Sequence, residues 1–294
     1  MSHEPVLTRE VLEVLAPGRG GLFVDCTVGA GGHSVALLEA GATQLLGLDR
    51  DPSALAHAAE ALKTFRDRVE LVHADFRELD EVLDSRGIGT INGALADLGV
   101  SSMQLDGPGR GFSFQRDEPL DMRMDPTSSR TAADLIRQSS ELELAGVISK
   151  YGEERHARRV ARAIVQARER APIDTTRQLA DLVRRAIPRR GWSRIDPATR
   201  TFQAVRIWVN QELEGLERFL VRLLRRMATG ARAAVIAFHS LEDRIVKHTF
   251  RSIERAGDVS ARILTRKPIV PSEDEIARNP RARSAKLRAI ERLA

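Results

Sequence analysis

The stretch Val24-Asp25-Cys26-Thr27-Val28-Gly29-Ala30-Gly31-Gly32-His33 sets glycines where an apolar strand hands over to a helix. Without a Cβ the backbone there turns sharply and lets a ligand come close. The helix beyond offers free N–H groups to the ligand's polar end. Asp49 closes the next apolar run, 18 residues after Gly31, where a carboxylate can accept bonds from both hydroxyls of a ribose. Its neighbours Arg50 and Asp51 read as solvent or helix-cap residues. His73-Ala74-Asp75-Phe76 ends a third run. An acid followed by a flat apolar ring suits adenine, with Phe76 as core the alternative. Together these residues ask for a nucleoside-type ligand, and a tight turn with no ligand remains the plainer reading of the glycines alone.

A dinucleotide fingerprint needs a third glycine; counted from Gly29, that place holds Ser34. The loop instead resembles that of class I methyltransferases, which faces the amino-acid end of a cofactor lacking a pyrophosphate. Asp97-Leu98-Gly99-Val100-Ser101-Ser102 follows a fourth apolar run. It resembles the place where amino-methyltransferases set an acid, or an amide followed by prolines, beside the target amine. An aromatic amine is a poor nucleophile because its lone pair is delocalised into the ring. Acceptors at its N–H bonds favour a tetrahedral nitrogen, which must lie in line and about 3–3.5 Å from the methyl. Asp97 suits that task, or the task of holding a cofactor ammonium; the residues leave both open.

These acids need a sheet to bring them together. Strands are expected at 21–25, 44–49, 69–73 and 91–98, with helices between them and Pro52 at the start of one. Near-continuous apolar strands alternating with helices predict a parallel sheet covered on both faces, with ligands beyond the strand C-termini. Residues 107–129 are rich in Gly, Pro, Asp and Arg and read as a long ordered loop. Helices are expected at 132–138, 141–150, 153–170 and 175–185. One long helix is then predicted from Val205, Val209, Leu213, Leu216, Leu220, Leu223 and Met227. The sheet resumes with strands at 233–238, 262–265 and 285–290 and a helix from Leu241.

The 294 residues suffice for one large domain or two modest ones. Residues 151–206 hold 14 arginines against six acids, an excess of eight positive charges in a chain whose net is +5. The middle of the chain therefore points to a polyanionic partner, with a solvated arginine face as the alternative. No apolar run is long enough to span a bilayer, and Met1 to Pro5 does not read as a signal peptide. The single cysteine, Cys26, cannot form an internal disulfide, so a cytoplasmic setting is expected. The seven histidines do not cluster with Cys26 or one another at ligand spacing, and no metal site is expected.

Longer strings make the resemblance specific. They are Gly31 to Ser34; Asp97 to Ser102 with Gln104-Leu105; Arg110-Gly111-Phe112-Ser113-Phe114; Pro119 to Asp125; Tyr151 to Arg155; Ala198 to Arg206; Phe238 to Arg244; and Asn279 to Ser284. On these the chain, from His3 to Leu293, resembles the bacterial ribosomal RNA small-subunit methyltransferase H family, which modifies cytidine at N4. The resemblance implies an α/β fold: a class I (Rossmann-like) methyltransferase sheet with an inserted all-helical domain. The core is expected at 1–105 and 200–294, the lid loop and substrate-recognition helices at 106–199. It implies an S-adenosyl-L-methionine site at Gly31, Gly32, His33, Asp49, Phe76, Asp97 and Gln104, and no departure stands at those positions. The implied partner is small-subunit ribosomal RNA or the assembled small subunit; a homo-oligomer stays open. Stretches 188–196 and 257–275 look short beside some members, which puts fine RNA contacts there in doubt.

Arg110 to Asp125 suits a glycine-hinged lid, with Phe112 or Phe114 stacking on a base or forming a small core. Arg155, Arg159, Arg162 and Arg200 are the expected RNA contacts, with Arg110 and Ser240 at the substrate. His239 is the second catalytic candidate beside Asp97, placing the base or relaying a proton, or else a bonded structural histidine. Glu242 and Asp243 are expected to cap the next helix, with Arg244 paired to one of them. An NAD-dependent oxidoreductase would share Asp49 but not the missing glycine or the Asp97 string. A non-catalytic RNA-binding or assembly protein would use the arginines but leave the intact cofactor loop without a purpose.

Overall fold

The computed structural model describes residues 5–188, 196–256 and 259–294. The chain forms two compact units, one of residues 1–99 with 213–294 and one of residues 100–212. Most of the short stretch at 188–196, and two residues of that at 257–275, lie outside the described residues.

The first unit alternates as the apolar pattern predicts. Its elements are α1 (Thr8–Leu15), β1 (Leu22–Asp25), α2 (Gly32–Glu39), β2 (Gln44–Asp49), α3 (Pro52–Ala61), β3 (Val69–His73), α4 (Leu79–Asp84) and β4 (Ile91–Asp97). The second unit contains α5 (Ser102–Asp106), α6 (Ala132–Gln138), α7 (Glu141–Gly152), α8 (Ala157–Arg168), α9 (Thr176–Ala186) and α10 (Ala198–Asn210). The chain returns to the first unit with α11 (Leu216–Arg226), β5 (Met227–Ala237), α12 (Ser240–Ala256), β6 (Ala261–Ile263), α13 (Glu273–Arg278) and β7 (Lys286–Arg292).

Seven strands make one sheet in the order β3-β2-β1-β4-β5-β7-β6. The first five are parallel, while β7 runs antiparallel to β5 and β6. This is the class I methyltransferase sheet that the resemblance implied. Successive strand residues serve opposite faces. Val24, Leu46, Ala94 and Val235 pack with α4, α11 and α12. Phe23, Leu45, Leu95 and Ile236 pack with α1, α2 and α3. Burial on both sides is why these strands read as apolar runs rather than alternations.

The expected long helix is two. Gln211 ends α10 in the left-handed region at φ 50°, and Gly215 opens α11 at φ 75°. Leu216, Phe219, Leu220 and Leu223 belong to the core beneath the sheet, whereas Phe202 and Val205 belong to the helical unit. An apolar step of three or four residues continues across the break, but the two halves serve different cores. Met227, taken as the helix's last apolar step, is the first residue of β5.

The stretch 107–129 is not a free lid. Phe112, Leu120, Met122 and Met124 lie inside the core of the helical unit. Arg110 Nη2 donates to the carbonyls of Arg123 (3.0 Å) and Met124 (2.9 Å). Asn210 accepts from Met124 N–H at 2.7 Å and donates to Met122 O at 2.8 Å. A loop pinned by buried apolar groups and backbone bonds has no hinge freedom to speak of.

Candidate active site

The strand order reverses between β1 and β4, and a crevice opens beyond the strand C-termini at such a switch point. The C-termini of β1, β2 and β4 each carry an aspartate, Asp25, Asp49 and Asp97. Thr27 spans the reversal: its Oγ1 accepts the N–H of Asp97 at 2.6 Å.

The glycine loop is set by bonds within it. Gly31, at φ 86°, opens α2, and Val28 O accepts its N–H at 2.8 Å. A Cβ at Gly31 would lie 3.3 Å from Ala58 Cα, so the residue serves both the turn and the packing of α2 on α3. Asp25 is buried, with Ser34 Oγ donating to its Oδ2 at 2.7 Å and Thr27 N–H to its Oδ1 at 3.2 Å. Burial pushes its carboxyl above the usual aspartate value, against the Ser34 bond that holds it down. Asp49 ties the loop to β2: Oδ2 accepts Gly29 N–H at 2.8 Å and Oδ1 accepts Asp51 N–H at 2.9 Å. Burial raises Asp49 to about 6 despite both bonds. Asp51 caps α3, accepting Ser53 N–H at 3.0 Å, as one reading of the sequence had it.

Asp97 and His33 face each other across this crevice. Asp97 Oδ2 lies 3.6 Å from His33 Nε2, too far for a hydrogen bond. His33 Nε2 and Asp97 Oδ1 are buried and have no hydrogen-bond partner among the described residues. A buried polar atom without a partner costs roughly 1–3 kcal/mol. Two of them, one a carboxylate oxygen, mark a place built for a ligand with donors of its own. That fits a group carrying an ammonium or an amine.

Other expected site residues are engaged differently. Phe76 is half-buried and packs on Phe219, with ring centroids 4.7 Å apart. It is thus part of the core and still keeps exposed ring surface, so the two readings of Phe76 merge. The Asp75 carboxylate is not open to an adenine amine: Arg77 grips it through Nε and Nη2, each at 2.7 Å. Burial pushes the Asp75 carboxyl up, but the Arg77 fork, aided by Arg50, holds it below the usual carboxylate range.

His239 follows β5. Its Nε2 is 3.2 Å from Glu242 Oε1, out of line for a hydrogen bond, while Glu242 Oε2 accepts the N–H groups of Phe238 (2.9 Å) and His239 (3.3 Å). Glu242 therefore caps α12 and fixes the backbone that carries His239. Asp243 does not cap: it bonds Arg288 at 2.6 Å and lies 3.6 Å from Lys286. Ser240, the first residue of α12, is exposed.

In the helical unit, Gln104 is buried and closes a capping box at the start of α5: its Oε1 accepts Ser101 N–H at 3.0 Å. Phe112 is 7% exposed, so its ring is closed to a stacking base. Phe114 is likewise engaged, edge-on to Phe202 at 4.8 Å. Arg110 is a loop staple rather than an open substrate contact. Arg155, Arg158, Arg159 and Arg162 are exposed, opposite the buried Val160, Ala161 and Ile164. Arg162 lies 3.4 Å from Glu141, and Arg200 reaches Glu153 O at 3.4 Å.

Sequence reading missed Asp25, Thr27 and Ser34 as a unit. Asp25 read as the end of an apolar strand, although an acid in such a run always needs a donor when buried. Arg77 was missed too; its signal is its place two residues after Asp75.

Comparison with known proteins adds three relatives and a family. The MraW methylase family model matches residues 1–293. The ribosomal RNA small subunit methyltransferase H of Geotalea uraniireducens (strain Rf4) is 49% identical over 307 aligned positions, covering 99% of this chain and 98% of that protein. The protein of the same name from Anaeromyxobacter dehalogenans (strain 2CP-1 / ATCC BAA-258) is 52% identical, covering 99% and 98%. That from Bradyrhizobium diazoefficiens is 50% identical, covering 99% and 91%.

Proposed function

Since the chain belongs to the MraW methylase family, we propose that it methylates the exocyclic N4 amine of a cytidine in small-subunit ribosomal RNA, using S-adenosyl-L-methionine. Relatives of matching length that are named for small-subunit ribosomal RNA support the substrate class. The observation that carries the chemistry is the unpartnered buried oxygen of Asp97 at the switch point.

S-adenosyl-L-methionine supplies the reaction with a methyl group on a sulfonium. Gly31, Gly32 and His33 bind its methionine end, Asp49 its ribose and Phe76 its adenine ring, with Gln104 supporting the turn after β4. Asp97 accepts an N–H of the cytosine amine, which localises the nitrogen lone pair and turns it toward the methyl. His239, fixed by Glu242, positions the base or takes the proton that the methylated nitrogen must lose. A stacked cytosine hides its amine, so the target is single-stranded or turned out. The exposed arginines Arg155, just before α8, Arg159 and Arg162 on α8, and Arg200 on α10 hold RNA phosphates. Among the described residues no helix is long and apolar enough to cross a membrane, and a ribosomal substrate makes the cytoplasm the working compartment.

The direct test is transfer of radiolabelled methyl to small subunits that lack the modification, with the product base identified by mass spectrometry. Label on N4 of one cytidine is expected; label on another base or none overturns the reading. Two further outcomes follow from the geometry. Asp49→Ala should raise the cofactor dissociation constant by about one to two decades, the worth of a charge-assisted bond of roughly 1.5–3 kcal/mol. For the intact protein the affinity should also weaken as pH falls through about 6, where Asp49 takes up a proton; Asp49→Asn should be flat there. Calorimetry at several pH values decides, and a flat profile for the intact protein rejects the ribose assignment. Reversing Arg155, Arg159 and Arg162 to Glu should weaken RNA binding and flatten its salt dependence, since each phosphate contact contributes about 0.7–0.9 to the slope. An unaltered slope would make those arginines a solvated face.

A further inference from the structure

Helices α11 and α12 pack on the same face of the sheet and both are rich in basic residues. On α11 two of the four arginines, Arg222 and Arg226, are matched by the acids of α4. Arg222 lies 3.6 Å from Asp80 and 3.9 Å from Glu81. Arg226 bonds Asp80 at 2.7 Å and Asp84 at 2.6 Å. Helix α12 differs. At 3.6 residues per turn, Arg244, Lys247, His248, Arg251 and Arg255 fall within about 100° of arc, opposite the buried Glu242, Val246, Phe250 and Ile253. Lys247, Arg251 and Arg255 have no ion-pair partner among the described residues.

The acids of α12 that could neutralise the stripe are engaged elsewhere. Glu242 caps the helix and Asp243 bonds Arg288, while Glu254 accepts Ile263 N–H at 2.9 Å. From Arg244 to Arg255 the stripe is about 16 Å long, at about 1.5 Å per residue. It begins one turn after Ser240, hence near the strand C-termini where Asp97 and His239 lie, and runs away from that edge. Three cations, Lys247, Arg251 and Arg255, without ion-pair partners among the described residues and leading away from a catalytic crevice complement a row of phosphates.

We propose that the α12 stripe of Lys247, Arg251 and Arg255 is a phosphate track on the catalytic unit, holding the RNA backbone that flanks the target cytidine. It rests on the reading that the substrate is RNA, and it is separate from the arginines of α8. Contacts of this kind set affinity and register rather than base identity.

The test compares the intact enzyme with Lys247→Gln/Arg251→Gln/Arg255→Gln in binding and methylation of a small-subunit RNA fragment across salt concentrations. The salt slope should fall by about 2–3, three contacts at 0.7–0.9 each. The kcat/KM for RNA should fall at least tenfold, with kcat at saturating RNA within twofold and cofactor affinity unchanged. Arg251→Gln alone should lower the slope by about 0.7–0.9, which keeps the test intact if the triple variant does not fold. An unchanged slope in these variants, with RNA still methylated, overturns the track and leaves the substrate reading standing. Loss of slope in the charge-conserving Lys247→Arg/Arg251→Lys/Arg255→Lys variant also overturns it, since packing would then be the cause. If the intact enzyme neither binds nor methylates small-subunit RNA, the substrate reading fails and the track falls with it.

Discussion

Asp97→Asn should slow single-turnover methylation by about 100-fold or more while leaving cofactor affinity within a few-fold, the scale on which one preorganised contact to a developing charge acts. The substitution keeps the side chain's shape and one acceptor oxygen but removes the charge. In the intact protein Oδ2 faces His33 at 3.6 Å and Oδ1 has no partner among the described residues. If the charge acts on the amine as the nitrogen becomes positive, the loss lies in the transition state and no amount of cofactor restores the rate. If Asp97 instead holds the cofactor's ammonium, affinity drops and saturating cofactor restores most of the rate. Single-turnover rates at several cofactor concentrations separate these, and full activity with normal affinity would rule out both.

The second large effect is on stability. Asn210→Ala should cost the helical unit about 2–6 kcal/mol, because it leaves two buried backbone groups without partners at roughly 1–3 kcal/mol each. Asn210 is 2% exposed and serves Met124 N–H, Met122 O and, at 2.9 Å, Arg206 O. Met122 stands at φ 61°, a left-handed conformation that an L side chain adopts at a cost. The asparagine is what holds that turn in place. Chemical denaturation measures the loss, and limited proteolysis should show earlier cleavage within 107–129. Unchanged stability with the same cleavage pattern would mean that the loop is held by its buried apolar groups and Arg110 without Asn210.

The parallel sheet was legible because its strands are buried on both faces, so Leu45 to Leu48 or Ala94 to Ala96 can hardly be anything else. Asp49 and Asp97 were legible because an acid that ends an apolar run stands out. What escaped was what depends on long-range packing. The residues Val205 to Met227 keep a helical step across Gln211–Gly215, and only the two separate cores distinguish the halves. Gly215 was the one local signal. Residues 107–129 carry the composition of a mobile loop, yet Arg110 and Asn210 pin them. A staple made to backbone atoms of distant residues leaves no trace in the local sequence. Phe112 failed as a stacking ring for the same reason: its burial is set by partners far along the chain.

The division of the chain also fixes an order of assembly. The helical unit is built from one unbroken segment, 100–212, so its contacts are available as soon as that segment exists. The sheet has no such freedom. β4 pairs with β5, Ile91 opposite Met227, and β5 pairs with β7 at the far end of the chain. A chain folding as it leaves the ribosome meets its N-terminal partners first, and pairings between distant segments are slow to close. Strands β1 to β4 therefore wait, with the β4 edge unpaired and Asp97 without its finished crevice, until the helical unit has been made and the last strands arrive. The helical unit can close its contacts early, whereas the β4 edge is covered only when β5 and β7 arrive.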